Sequence, residues 1–540
     1  MNSNLNLSVM LDCSRNAVMN LESLKKYIDI LAKFGYKSLM LYTEDTYEIK
    51  DEPYFGYFRG RYSQEELKEI DAYALSKGIE LIPCIQTLAH LNAIFRWGTY
   101  SKINDCNDIL LLEDENTYIL IEKMFKTLAE CFTSRTVNVG MDEAHMMGLG
   151  KYLDKHGFQD RNKIFLRHLE KIVEIADKYN FKPIMWSDMF YRMACKGEYY
   201  EKDAVLDPEV IKLVPKQLGL IYWDYYHKDK EFYDSMIKGH KEFNNEIWFA
   251  GGSWTWTGFT SQNQYGLDVT DPAMRSCFDN KIDNIIMTQW KDNGGECSFF
   301  TSLPVLFYAA KVANNITDID VIKKEFYDIM GIEFDDFMKF DTINTIENKP
   351  HIEFILNPSK YMLYNDPFMG ICDCTVVEGE SIIYKKYAKM YEGLKKKMPE
   401  YSYICESYKA LCEVLVHKYE LGIKTRKYYQ EGNKQLLESL IKEYSLSIKY
   451  VKKFIKAFRN LWYTENKPHG FDVQEIRLGG VLLRLESCKE RLIQYINGQI
   501  SKIDELEEDV LDLDGVSGKN HRKVTEGING YQFNVTANII

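Results

Sequence analysis

Asp142 and Glu143 stand side by side at the end of an apolar run, TVNVGM, and are followed by Ala144 and His145. Carboxyl groups at such a place serve acid/base work and hydroxyl recognition. An isolated Asp-Glu pair usually reads as surface charge. Its position just after an apolar run, where a buried strand would end, reverses that reading. Neighbouring residues of a strand face opposite sides, so both carboxyls serve one site only if the backbone turns at the pair.

Other apolar runs end the same way. Asp12-Cys13-Ser14-Arg15 follows the first, Glu44-Asp45 the second, and Gln86-Thr87-Leu88-Ala89-His90 the third. Trp186-Ser187-Asp188 follows the fifth, and Tyr222-Trp223-Asp224-Tyr225-Tyr226-His227 the sixth. Trp254 and Trp256 follow the seventh, and Trp290-Lys291-Asp292 with Glu296 the eighth. Carboxylates suit acid/base work and hydroxyl recognition, indole faces suit the apolar faces of a pyranose, and Arg15 suits paired hydrogen bonds to adjacent hydroxyls. A phosphate site would need a Gly-rich turn or clustered cations, and neither is found. His90, His145 and His227 belong to different strand ends, so no metal and no other cofactor is expected.

These residues need a scaffold that gathers eight strand ends. The runs 5–13, 38–43, 80–86, 136–141, 182–187, 218–224, 247–252 and 284–290 read as buried parallel strands. Amphipathic segments at 21–34, 64–77, 116–132 and 163–179 read as covering helices, with 303–314 as the last. Ser63 caps one helix, and Asp271 before Pro272 reads as the start of another. Eight strand–helix units predict a (β/α)8 TIM barrel over 1–315, whose active site lies at the C-terminal strand ends. An open doubly wound sheet would show a Gly-rich turn at its switch point, and none follows any strand. Residues 316–540 predict a mainly α-helical domain, with helices at 382–396, 403–429, 434–462 and 480–497. An acidic loop at 505–520 and a tail, GYQFNVTANII, that could pair as an edge strand complete it. Packing on the barrel, completing the pocket and forming a homodimer are all open roles for this domain.

Composition narrows the partners. The formal net charge of −12 over 540 residues disfavours nucleic acid and anionic membranes. Much of the load of 38 Tyr, 28 Phe and 8 Trp must be core, but aromatic faces also suit the apolar C–H faces of sugar rings. The 12 cysteines show neither CxxC pairs nor zinc spacing, and buried free thiols are expected. The start of the chain lacks the pattern of a signal peptide and no run is long enough to span a bilayer, so a cytoplasmic location is expected.

The segment VNVGMDEAHMMGLGKY resembles the Asp-Glu signature on the fourth strand of glycoside hydrolase family 20, the β-N-acetylhexosaminidases. The other strand ends agree: the His90 segment resembles that family's D-x-P-G-H, Tyr222-Trp223-Asp224 its Y-x-D, and Trp290-Lys291-Asp292 its W-x-E with Asp in place of Glu. With ENKPHGFDVQEIRLGG, the chain is most similar to a bacterial branch with the barrel first and a helical domain last. The resemblance implies substrate-assisted, retaining hydrolysis. Glu143 would be the acid/base, and Asp142 would hold the substrate's 2-acetamido group while its oxygen attacks C1 to give an oxazolinium ion. Tyr222 would bond the acetamido oxygen, and Asp224 would support that loop or the catalytic pair. Trp186, Trp256 and Trp290 would line the pocket, with Arg15 and Asp292 on the outer hydroxyls of an exo-bound terminal GlcNAc or GalNAc. His90 reads either as a structural hydrogen-bonding histidine or as a direct contact in the substrate site.

Alternatives stay open within that reading. Tyr225 competes with Tyr222, Glu296 with Asp292, and Trp254 with Trp256, which is favoured. Gln86 stands where classical members have Asp, and Met141 where they often have Gly. A retaining β-glycosidase with two protein carboxylates, Glu44 or Asp292 as nucleophile, is the rival enzyme. A non-catalytic sugar-binding barrel is the rival of another class.

Overall fold

The structure, a computed structural model, describes residues 5–346 and 357–511. The tail, and the acidic loop beyond residue 511, lie outside the described residues. The described chain forms two compact units. The first comprises Met1–Trp254, Tyr265–Lys291 and Leu303–Ile329; the second comprises Thr255–Gln264, Asp292–Ser302 and Met330–Ile540.

The first unit is a closed parallel barrel. Its strands are β1 (Asn6–Asp12), β2 (Ser38–Tyr42), β3 (Glu80–Cys84), β4 (Thr136–Asn138), β5 (Lys182–Trp186), β6 (Gly219–Trp223), β7 (Glu246–Gly252) and β8 (Asn284–Gln289). Each pairs with the next, and β1 closes on β8 with Leu11 opposite Gln289. Almost every strand residue is buried, because helices cover the outer face and side chains fill the inner one. That is why the strands read as unbroken apolar runs rather than alternating ones.

The covering helices carry local signals that agree with their place. Leu21–Phe34 starts on the Asn20 side chain, which accepts the N–H of Ser23, and ends at Gly35 in the left-handed region (φ 90°). Gln64–Ser76 starts with a reciprocal Ser63/Glu66 capping box. One start differs from expectation. The helix expected to begin at Asp271 runs Asn263–Asp279, with Pro272 in its interior. Asp271 does not cap it; its carboxylate takes hydrogen bonds from Arg275 (2.8 Å) and Tyr308 (2.8 Å).

The second unit is helical. Its longest helices are Ile382–Lys397, Ser402–Lys418, Leu421–Gln430, Lys434–Glu465 and Phe471–Ile496. The single helix expected over 403–429 breaks at Tyr419-Glu420, where the Glu420 carboxylate accepts the N–H groups of Gly379 (3.0 Å) and Ser381 (2.7 Å). The last helix starts nine residues before Gly480, straight through Gly479-Gly480, because packing along its length overrides the low propensity of two glycines. All twelve cysteines are free thiols. Among the described residues no helix is long and apolar enough to cross a membrane.

Candidate active site

β4 stops at Asn138, and the chain then turns sharply enough to aim two neighbouring carboxyls at one mouth. Gly140 (φ 73°), Met141 (φ 69°) and Glu143 (φ 49°) all adopt the left-handed region. The turn is fixed from below by Asn138, whose Oδ1 accepts the Gly140 N–H (2.9 Å), and from the side by Gln86, whose Oε1 accepts the Met141 N–H (3.2 Å). Gly140 is required: a Cβ there would lie 2.1 Å from Gln86 Oε1. Glu44 (φ 43°), His90 (φ 58°) and Trp254 (φ 56°) are left-handed too. These are non-glycine residues in a costly conformation, and they follow β2, β3 and β7 as Met141 and Glu143 follow β4.

The two carboxyls differ in surroundings. The Asp142 side chain is 12% exposed and that of Glu143 40%. Asp142 Oδ1 accepts a hydrogen bond from Gln86 Nε2 (2.8 Å), and Oδ2 lies 3.3 Å from His90 Nε2, an ion-pair distance rather than an aligned hydrogen bond. Burial opposes the Asp142 charge, but the His90 charge and the Gln86 amide outweigh it and hold the carboxyl below its ordinary range. The imidazole responds in kind: burial pulls it down, yet Asp142 and Glu44 raise it to about 10. Glu143 has its N–H on Asp188 Oδ2 (3.1 Å) and its Oε1 3.3 Å from Arg192 Nη2. Asp188 is pushed up by its own burial and by the Asp142 and Glu143 charges, with Arg192 pulling the other way.

Beyond the ends of β1 and β2 Arg15 pairs with the buried Glu44 at 3.1 Å. Burial raises Glu44 to about 6 against the pull of Arg15. Asp12 is buried beneath, accepting from Ser14 Oγ (2.7 Å) and from the Lys291 N–H (2.9 Å). The aromatic wall is Trp186 and Trp290, with centroids 5.9 Å apart, and Tyr42 edge-on to Trp290 at 4.8 Å. The Trp186 indole N–H is buried without an acceptor among the described residues.

The two tyrosines of β6 and its loop part company. Tyr222 is fully buried, its ring against His240 (4.9 Å) and Phe249 (5.5 Å) and its hydroxyl donating to Asp224 Oδ2 (2.8 Å). His240 belongs to the covering helix Lys230–Lys241, so Tyr222 faces the helix layer. Tyr225 faces the mouth: its hydroxyl is bonded among Trp290 and Thr288, and the Asp142 charge acts on it. Asp224 organises the loop, accepting the N–H groups of Tyr226 (3.0 Å) and His227 (3.3 Å) and lying 2.8 Å from His227 Nδ1. Trp254 is buried and donates its indole N–H to the Tyr225 carbonyl (2.9 Å).

Trp256 and Asp292 belong to the second unit. There Glu296 is buried between Lys360 (3.0 Å) and Arg477 (3.4 Å), which commits it to an internal ion cluster. The barrel therefore gathers Arg15, His90, Asp142, Glu143, Trp186 and Trp290 from the residues expected by sequence. Sequence reasoning misses Arg192. Its signal is the i, i+4 spacing from Asp188 just after β5, which puts both on one helix face. Among the described residues no group of three or more His, Cys, Asp or Glu is placed to hold a metal ion.

A charged, buried carboxylate next to a half-exposed carboxyl, beside paired indoles, is the equipment of a glycoside hydrolase. Residues 8–240 match the catalytic domain of glycosyl hydrolase family 20, and residues 335–525 match the glycoside hydrolase 20C C-terminal domain. The chain belongs to glycoside hydrolase family 20 and is of the β-N-acetylhexosaminidase type. It is 23% identical over 259 residues to the Hexosaminidase D of Bos taurus, covering 45% of this chain and 68% of that protein. It is 25% identical over 244 residues to a Beta-hexosaminidase of Vibrio furnissii, covering 37% of this chain and 38% of that protein. A β-N-acetylhexosaminidase structure from Bacteroides fragilis NCTC 9343 aligns with a TM-score of 0.41 at 21% identity, over 54% of this chain and 61% of that one.

Proposed function

We propose that the protein removes terminal β-linked GlcNAc or GalNAc, exo-acting and with retention, using the substrate's own 2-acetamido group as nucleophile. The observation that carries this reading is the unlike environment of the Asp142-Glu143 pair. Asp142 is held ionised by His90 and Gln86, as a group must be that accepts the acetamido N–H and steadies an oxazolinium ion. Glu143 is the more open of the two, as suits a group that gives a proton to the glycosidic oxygen and then takes one from water. Trp186 and Trp290 would flank the acetamido methyl and the sugar ring, and Arg15, oriented by Glu44, would meet the outer hydroxyls. Tyr225 is better situated than Tyr222 to hold the acetamido oxygen beneath C1, since Tyr222 is spent on Asp224 in the helix layer. The two-carboxylate reading loses support because Glu44, its first candidate nucleophile, is buried and occupied by Arg15 and by the Tyr42 hydroxyl (3.1 Å). Release of 4-nitrophenol from the β-GlcNAc, β-GalNAc and β-glucose aryl glycosides tests the proposal. Turnover confined to the acetamido sugars, and lost in Glu143→Ala and Asp142→Ala, is expected; equal turnover of the glucoside would overturn it.

A further inference from the structure

Glu143 is gripped by a second carboxylate and a guanidinium that its acid and base steps leave unused. Asp188 and Arg192 are the first and fifth residues of the short helix Asp188–Ala194 and lie on one face of it. Asp188 Oδ2 accepts both the Glu143 N–H (3.1 Å) and Arg192 Nε (2.9 Å). Arg192 Nη1 donates to the Gly197 carbonyl (3.1 Å), and Nη2 faces Glu143 Oε1 at 3.3 Å. The guanidinium also lies over the rings of Tyr199 (5.7 Å) and Trp223 (6.0 Å). The arginine is thus fixed on three sides before it meets Glu143, and its main partner, Asp188, is fully buried.

Resting on the reading of Glu143 as acid/base, we propose that Arg192 and Asp188 are positioning residues that determine which oxygen of Glu143 carries the transferable proton. A guanidinium has donors and no acceptor, so the oxygen facing it keeps a lone pair there. Oε1 is therefore the carbonyl oxygen of the protonated acid, and the proton sits on Oε2. The neighbour of Oε2 is His90 Nε2 at 3.8 Å, beyond hydrogen-bond reach, so the Oε2 proton is left for the substrate. As the C1–O bond breaks, its electron pair goes to the leaving oxygen, which takes that proton. In the second half Oε2 takes a proton back from the attacking water. Asp188, by accepting the Arg192 Nε hydrogen bond at 2.9 Å, fixes the direction in which the guanidinium meets Glu143.

The test separates acid positioning from simple support of the fold. Full-length wild type, Arg192→Ala, Arg192→Lys, Asp188→Asn and Glu143→Ala are compared on two β-GlcNAc glycosides: 2,4-dinitrophenyl, which departs almost without protonation, and phenyl, which needs it. For Arg192→Ala, kcat/KM on the phenyl glycoside should fall by about 100-fold and on the dinitrophenyl glycoside by only a few-fold, in keeping with what a well-placed general acid supplies. Arg192→Lys should recover part of the loss, and Asp188→Asn should show the same selectivity more weakly. Equal losses on both substrates, or none, would overturn the proposal. Glu143→Ala is the internal reference. If it too lacks leaving-group selectivity, the acid/base reading itself fails; if it is selective and Arg192→Lys and Asp188→Asn are not, the positioning proposal alone fails. The last two variants keep a cation or the side-chain shape in place, so loss of folding in Arg192→Ala leaves the test intact.

Discussion

Gln86 holds the turn that carries the carboxyl pair by two atoms at once, its Nε2 donating to Asp142 Oδ1 at 2.8 Å and its Oε1 accepting the Met141 N–H at 3.2 Å. The same Nε2 is 2.9 Å from the Tyr42 hydroxyl, which donates to Glu44 Oε1 at 3.1 Å, and Glu44 in turn meets Arg15 at 3.1 Å. One chain of polar contacts thus runs from Arg15, the proposed outer-hydroxyl contact, to Asp142, and such networks lose more than one bond when a member is deleted. Gln86→Leu, which keeps the bulk and removes both polar atoms, is expected to lower kcat on the 4-nitrophenyl β-GlcNAc substrate by about 10- to 100-fold, corresponding to about 1–3 kcal/mol. Steady-state kinetics check it, and an unchanged kcat would separate Gln86 from the function of Asp142.

Gly140→Ala attacks the same turn from the backbone. The residue has φ 73°, and a Cβ would meet three atoms of the Gln86 amide within 3 Å. The left-handed conformation alone costs about 1 kcal/mol for alanine, and displacement of a buried, fully used amide adds to it. A loss of about 2–4 kcal/mol in denaturant unfolding is expected, with activity falling in parallel because Asp142 loses its donor. Wild-type stability in this variant would mean that the turn relaxes freely, contrary to its clamped geometry.

Tyr225→Phe and Tyr222→Phe distinguish the two tyrosines. The Tyr225 hydroxyl is directed into the mouth among Trp290 and Thr288, whereas the Tyr222 hydroxyl is 2.8 Å from Asp224 behind β6. Removal of a hydroxyl that orients the nucleophilic acetamido oxygen should lower kcat by about 100-fold, in the range found for lost transition-state donors. Tyr222→Phe should cost about 1 kcal/mol of stability and leave kcat within a few-fold. The reverse pattern in paired kinetic and unfolding measurements would return the acetamido contact to Tyr222.

The contrast between these tyrosines marks how far the sequence was legible. Strands buried on both faces appear as continuous apolar runs, so all eight could be placed. The same continuity hides which side of the strand a residue faces: Tyr222 and Tyr225 are equally aromatic, and the short offset between them carries no sign. The path of the chain beyond a strand end is equally hidden when it depends on backbone strain, as with the left-handed Met141 and Glu143 that let two neighbours share one site. Arg192 escaped for a related reason, because its partner Glu143 is 49 residues away in sequence and the two meet only across β4 and β5. In the second unit, Lys360 and Glu296 are 64 residues apart, and no local pattern announces their buried pair.

His90 offers a test by pH. Despite its burial, Asp142 and Glu44 raise the imidazole to about 10, against an ordinary value of 6.5, so the folded state binds this proton more tightly than the unfolded one. A group raised in this way contributes stability that is fully present below pH 6.5 and is lost as pH rises through about 10. Glu44 is also raised, to about 6 against an ordinary 4.5, and the His90 charge is one of the groups that restrain it, so the lower end of the interval from pH 6.5 to 10 carries a Glu44 contribution and the part near pH 10 reports on His90. The stability difference between wild type and His90→Gln, measured by denaturant unfolding across that interval, should therefore be largest near pH 6.5 and shrink steadily towards pH 10. Activity should follow, since a neutral imidazole no longer places a compensating charge 3.3 Å from the Asp142 carboxylate beside the substrate, and wild-type kcat is expected to decline over the upper part of the same interval. A difference that stays constant from pH 6.5 to 10 would mean that His90 is neutral throughout, leaving the Gln86 amide as the main support of the Asp142 charge.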